Sequence, residues 1–182
     1  MCRVWVIPCA VESDVRCAAL AESRFGVGAN LESFRYVGIG TGVACAFVRR
    51  GEVHRGTRGN AIILGTASVE QRSAGRALNR QLGPDLESAF GDVRNADAVD
   101  SAATDIGESI GIVVNALDPG AVVIGGGLGM NAEFFDRVGH AIRRVIYADD
   151  TRRLPIEMTA LRGNAGVIGA ALAGWDRLVA EY

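Results

Sequence analysis

The chain has 182 residues and a formal net charge of −2, which suits one domain and offers no basic surface for nucleic acid. Hydrophobic residues make up 49% but aromatics only 6%, so the core must come from Ala, Val, Ile and Leu, a composition for buried strands under helices rather than for a base-stacking surface. No uninterrupted apolar run approaches the ~20 residues of a membrane span and no secretory signal pattern opens the sequence, so the expected setting is the cytoplasm, with no membrane partner.

In chain order, residues 4–8 are a short β-branched run that predicts a strand. Ser13 and Asp14 then precede an Ala-rich helical stretch over 15–24, and either can cap it by accepting a hydrogen bond from a first-turn amide. Residues 34–39 and 43–49 read as strands joined at Gly40-Thr41-Gly42, with a further turn at Arg50-Gly51-Glu52 and a third strand near Val53. Residues 57–66 are loop-like apart from the apolar stretch 61–64. Ser68 with Gln71 three places on has the capping-box pattern, and the helix it starts is expected to end at Leu82-Gly83-Pro84. Residues 85–95 are a short helix or a loop.

The strongest helix covers 96–117, where Val99, Ala102, Ala103, Ile106, Ile110, Val113, Val114 and Leu117 keep the helical period and Asp118-Pro119 breaks it. Ala121-Val122-Val123-Ile124 is a fully buried type of strand followed by glycines. A helix opens at Asn131 and runs to about Tyr147, a strand follows over 156–161, and Gly163-Asn164 turns into a last helix ending near Ala180. Helix and strand alternate through this second half, which predicts an α/β sheet covered by helices. Cys2, Cys9, Cys17 and Cys45 form no CxxC pair and have no nearby histidine, so they read as small buried thiols in a reducing compartment, with no metal site.

The 24 glycines are roughly twice average usage and cluster after apolar runs. In Gly38-Ile39-Gly40-Thr41-Gly42 the turn amides and the Thr41 hydroxyl suit a phosphate oxygen; a plain hairpin explains the same residues. In Val122-Val123-Ile124-Gly125-Gly126-Gly127-Leu128-Gly129 a buried strand runs into glycines and a helix start. That is either a nucleotide site at the carboxyl edge of a sheet or a structural turn. Asp14 at a helix start is either a cap or a carboxylate able to take a proton from a hydroxyl nucleophile.

Together and in this order, these segments resemble the ROK family of sugar kinases and sugar-responsive repressors. Residues 11–22 resemble the family's catalytic-aspartate segment, 36–47 its second phosphate loop, and 69–78 (V-E-Q-R-S-A-G-R-A-L) the segment around a sugar-contacting glutamate. Residues 117–129 (L-D-P-G-A-V-V-I-G-G-G-L-G) resemble the adenosine-binding segment and 163–173 the closing helix. The resemblance implies an α/β chain of the actin-like, hexokinase-type ATPase fold, its carboxy-terminal lobe having a mixed sheet with flanking helices. It implies ATP with Mg2+ as co-substrate and a hexose or related sugar as acceptor. Asp14 would be the general base, Gly40, Thr41 and Gly42 the phosphate contacts, and Gly125, Gly126 and Gly127 the adenosine contacts. Ser13 and Glu70 would face the sugar.

The sequence also departs from the family pattern. Nothing before Val11 resembles the D-x-G-G-T loop of the amino-terminal lobe, and Met1 stands ten residues ahead of the first matching segment. The 182 residues are therefore expected to form one carboxy-terminal domain without that lobe. Ser13 replaces a sugar-binding Asn, Ile63 a sugar-binding Glu, and Thr66 a His that touches sugar and zinc. The cysteine-rich zinc loop is absent, so no zinc is expected. Ala44-Cys45-Ala46 stands where glycines are usual. Two functions follow: an ATP-dependent sugar kinase, impaired by truncation, or a non-catalytic sugar- or nucleotide-binding or assembly module. A homo-oligomer is expected, with helices 96–117 and 164–180 as contact elements.

Overall fold

The computed structural model describes residues 9–61, 69 and 72–180. The expected strand at 4–8, most of the 61–64 stretch, the capping box at Ser68 and Gln71, and Ile63, Thr66, Glu70 and Cys2 lie outside the described residues.

Helix α1 (Asp14–Phe25) leads through a 3-10 turn at Val27–Asn30 into β1 (Ser33–Ile39), β2 (Val43–Arg49) and β3 (Glu52–Val53). Helices α2 (Gly75–Leu82), α3 (Leu86–Phe90) and α4 (Ala96–Leu117) follow, then β4 (Val122–Gly125), α5 (Ala132–Val145), α6 (Asp149–Arg152), β5 (Ile156–Met158) and α7 (Ala165–Ala180). The described strands form one sheet in the order β3-β2-β1-β4-β5. β1–β2 and β2–β3 are antiparallel hairpins, whereas β4 lies parallel to β1 and β5 parallel to β4. The sheet is therefore mixed, and helices cover both of its faces.

The two faces follow from the strand period of two. Val37, Ile39, Val122 and Ile124 point to one side, where they meet Ile106 and Ile110 of α4 and Phe134 and Ile142 of α5. Phe34, Tyr36 and Val123 point to the other side, against Ala18, Ala19 and Leu20 of α1 and Ala165 of α7. Val122, Val123 and Ile124 are all fully buried, as a parallel central strand requires.

Local chemistry sets the boundaries. The Asn131 side chain accepts from the Phe134 amide at 3.0 Å and caps α5. Asp118 takes a left-handed conformation (φ 44°) that ends α4 ahead of Pro119. Within α4 the buried row includes Gly107 and Gly111, while Val113 is only partly buried. A Cβ at Gly107 would overlap Ala141 and lie 2.8 Å from the Val138 carbonyl oxygen; one at Gly111 would overlap Val145 and lie 2.7 Å from that of Ile142. These glycines let α4 and α5 pack backbone to backbone.

Three expectations need correction. The helix expected to run unbroken to Leu82 bends at Ala74, because the amides of Gly75 and Arg76 turn to the carbonyls of Gly40 (2.9 Å) and Thr41 (3.1 Å). β5 stops at Met158 rather than Leu161, since Thr159 and Leu161 bond to the buried carboxylate of Glu22. Cys9 is exposed, unlike the buried Cys17 and Cys45. The undecided stretch 85–95 resolves into α3, capped by Asp85 accepting from the Ser88 amide at 3.2 Å, and a 3-10 turn at Val93–Asn95. Of the two helices expected to pair between copies, α4 spends its apolar row on the sheet and α5, whereas α7 leaves Val167, Trp175 and Val179 exposed. No described helix is long and apolar enough to cross a membrane.

Candidate active site

Because β1 and β4 are parallel neighbours, with Gly38 beside Gly125, both glycine turns leave the sheet at the same carboxyl edge. The turn after β4 is docked on the end of β1. The Ile39 carbonyl accepts from the amides of Leu128 (3.0 Å) and Gly129 (3.1 Å). Gly126 makes this possible: its φ is 84°, and a Cβ there would overlap the Ile39 carbonyl oxygen and sit 2.7 Å from its carbon. The turn after β1 is held from its other side by the amides of Gly75 and Arg76.

The start of α1 faces the same edge. Ser13 has the extended backbone of an N-cap but makes no capping bond with its side chain; its hydroxyl points to Asp14 Oδ1 at 3.5 Å. Asp14 is the first helical residue, is exposed, and its Oδ1 accepts from the adjacent Val15 amide at 2.8 Å. Glu12 fastens this helix start to the loop after β3 by accepting from Arg55 Nε at 2.7 Å and from Arg16 at 3.4 Å. Arg16 in turn donates to the Gly59 carbonyl at 2.6 Å. Burial alone would raise the Glu12 carboxyl, yet the Ser13 amide and Arg55 hold it below its ordinary value, so it is charged in the folded chain.

The helix start, the two glycine turns and the start of α7 enclose a cleft of about 440 Å3. Asp14, Gly40, Thr41, Gly42, Gly126 and Gly127 all line it. Gly125 stands behind the wall, where a Cβ would overlap the Tyr36 hydroxyl. Ser13 is exposed next to the cleft without lining it. A second cleft of about 320 Å3 adjoins the first, sharing Gly40, Thr41 and Gly127 and reaching to Asn79 and Leu86.

Gly40 and Gly127 differ from Gly126 in a way that bears on function. Neither has a left-handed backbone, and a Cβ at either would meet nothing within 4 Å. Neither turn geometry nor packing requires glycine there, and both positions open onto the two clefts. A glycine wall with free space before it suits a ligand that approaches backbone closely, as a phosphate chain does.

Sequence reasoning did not single out Tyr36, Met130 or Arg162, which also line the larger cleft. Burial keeps the Tyr36 phenol above its ordinary value against the opposing effect of its hydrogen bond with Thr159, so it stays neutral. Glu22, fully buried, accepts from the Thr159 hydroxyl, the Leu161 amide (2.9 Å) and the Val27 amide (2.9 Å). It thereby ties α1 to the segment that carries Arg162. Glu22 ends the 11–22 segment, but no sequence pattern marks a carboxylate that takes two of its bonds from residues more than 130 places on.

Comparison with known proteins agrees with this architecture. The ROK family model matches residues 4–175. A beta-glucoside kinase of Listeria monocytogenes is 29% identical over 191 residues, covering 90% of this chain and 64% of that protein, so the chain spans less than two thirds of this curated relative. The structure of a ROK hexokinase from Thermus thermophilus superposes with a TM-score of 0.79 at 31% identity, covering 92% of this chain and 67% of that one. A ROK family glucokinase from Streptomyces griseus, solved with glucose and AMPPNP, shares the fold with a TM-score of 0.76 at 24% identity, covering 89% and 66%. The mixed sheet with helices on both faces is thus the actin-like, hexokinase-type α/β fold, and the chain belongs to the ROK family.

Proposed function

We propose that the larger cleft receives the phosphate chain of Mg-ATP together with the acceptor hydroxyl of a hexose or related sugar, and that Asp14 takes the hydroxyl proton during phosphoryl transfer. The observation that carries this reading is the pair of glycines, Gly40 and Gly127, whose missing side chains are explained by neither strain nor packing. The sugar-kinase names of the relatives support it.

The residues divide the work. The Gly40–Gly42 turn and the Gly126–Gly127 turn supply close backbone approach on two sides of the phosphates, with the Thr41 hydroxyl as an added donor. The smaller cleft adjoining both turns takes the adenosine. Mg2+ arrives on the phosphates as part of the co-substrate and neutralises their charge. Asp14 is exposed and lines the cleft, with Oδ1 accepting from the Val15 amide. A carboxylate there accepts the proton as the sugar oxygen attacks the γ-phosphorus, while the held geometry supplies most of the acceleration.

A coupled ADP-release assay over a panel of sugars tests the reading, with Asp14→Asn beside the wild type. Loss of a general base costs roughly 10²–10⁴-fold in rate, with ADP affinity by calorimetry unchanged. Equal rates for the two proteins would sink the catalytic role. A second reading, a binding module without turnover, is favoured by the short Ser13 side chain, which turns to Asp14 rather than reaching out. Binding of sugar or ADP by a wild type that releases no ADP is its signature.

A further inference from the structure

We infer that Arg162 is the side chain that selects phosphorylated ligands in this cleft, gripping a di- or triphosphate chain with its guanidinium. This rests on the reading that the cleft holds a nucleotide's phosphates.

The backbone is the first observation. Arg162 has a φ of 50°, in the left-handed region that L-residues with a side chain rarely adopt. The very next residue is Gly163, which has no left-handed φ and nothing within 4 Å of a Cβ. Glycine thus stands one place away from the position whose geometry favours it, and an arginine occupies that position instead. Strained non-glycine residues persist where the surroundings over-determine them, and they collect at ligand sites.

The surroundings here are over-determined. Leu161, just before Arg162, donates its amide to the buried Glu22 carboxylate at 2.9 Å, and the Thr159 hydroxyl donates to the same oxygen. The Thr159 amide donates to the Ile124 carbonyl of β4 at 2.8 Å, and the Asn164 amide to the Leu161 carbonyl at 3.1 Å. Glu22 belongs to α1, the helix that begins with Asp14. One buried carboxylate therefore fixes both the proposed base and the strained arginine in a common frame.

Charge is the second, independent observation. Among the described residues lining the cleft, Arg162 is the one base and Asp14 the one acid. The rest of the wall is glycine, alanine, valine, Thr41, Tyr36 and Met130. Arg162 is exposed, lines this cleft and makes no ion pair with a described residue. A planar fork of donors at the mouth of a glycine-walled cleft matches two phosphate oxygens at once, which neither backbone amides nor a lysine ammonium reproduces.

Calorimetry with ADP, adenosine and inorganic tripolyphosphate tests this on the full chain, comparing wild type, Arg162→Gly and Arg162→Lys. Glycine is suited to the φ at this position, so Arg162→Gly is expected to fold with an equal or higher Tm. Its affinity for ADP and tripolyphosphate should fall about tenfold or more, the scale of a charge-assisted bond, with adenosine affinity unchanged and a shallower salt dependence. Arg162→Lys should recover only part of the loss. If wild type and Arg162→Gly bind ADP and tripolyphosphate equally, the inference fails while the nucleotide reading stands. If the wild type binds neither, both fall. If tripolyphosphate binds in an Arg162-dependent way and adenosine adds nothing to it, the inference stands and the adenosine part of the function fails.

Discussion

Gly126 and Gly127 are adjacent, yet alanine at each should fail for a different reason. At Gly126 an alanine must hold φ at 84° and place its Cβ against the Ile39 carbonyl group, 2.7 Å from the carbon and 2.8 Å from the nitrogen. The left-handed backbone costs roughly 1–2 kcal/mol and forced overlap with backbone roughly 1–3 kcal/mol. Gly126→Ala should therefore lose about 3 kcal/mol, a Tm fall of roughly 6–12 °C for a domain of this size. The Ile39 carbonyl must also give up its bonds from Leu128 and Gly129, which undocks the second glycine turn from β1. At Gly127 an added Cβ meets nothing and needs no unusual φ. Gly127→Ala should stay within ~0.5 kcal/mol of the wild type, as surface substitutions do, while on the proposed function ADP affinity drops because the methyl group enters the cleft assigned to the nucleotide. Urea denaturation and calorimetry on both variants read the two effects separately. A Gly126→Ala protein as stable as the wild type refutes the packing argument; a Gly127→Ala protein that binds ADP normally refutes the claim that this glycine serves a ligand.

Gly107→Ala should destabilise the fold by roughly 1–3 kcal/mol through its overlap with Ala141 and Val138, even though alanine is the better helix former by about 1 kcal/mol; unchanged or raised stability in urea would show that α4 and α5 can slide apart at no cost. The contribution of Glu12 should be pH-dependent. Its folded-state carboxyl lies below the ordinary 4.5, so the unfolded chain takes up the proton first as pH falls. Its stabilising effect is complete above that value and is lost as pH drops through the lower folded value. The difference in urea midpoint between wild type and Glu12→Gln should accordingly be full near neutrality and shrink as pH falls from the ordinary value through the lower folded one; a difference that grows in acid contradicts the ion-pair account of the α1 start.

The elements that could be read from the sequence are those whose signal is local and repeated. The helix at 96–117 ends where its period and Asp118-Pro119 say it ends, and the hairpin of β1 and β2 turns at its glycines. What escaped depends on residues brought together by the sheet. Gly107 and Gly111 interrupt the apolar row in sequence but are buried against α5 in space, which presents backbone there. Arg35 is a charge inside the expected strand over 34–39, and it is fully buried, donating to the Ile110 carbonyl at 3.2 Å and to Cys45 Sγ at 3.3 Å, with Nε unpartnered among the described residues. Burial lowers its basicity below the ordinary arginine value.

The candidate site shows the same division more sharply. The glycine-rich turns were visible as motifs, but a motif does not say which glycine serves turn, packing or ligand. Gly125 is glycine because of Tyr36, and Gly126 because of Ile39; Gly40 and Gly127 answer to neither. That sorting needs the parallel pairing of β1 with β4, a contact between residues more than 80 places apart. The pairing also explains why the segments resembling the family fall in one order along the chain while meeting at one edge of the sheet. Asp14, Thr41 and Gly127 come from three separate elements, and only the crossover of β4 back beside β1 sets them around a shared space. Arg162 reaches the same space from a fourth, through a turn held by Glu22. The chemistry the cleft can perform therefore belongs to the sheet order and the buried Glu22 anchor as much as to the residues that line it.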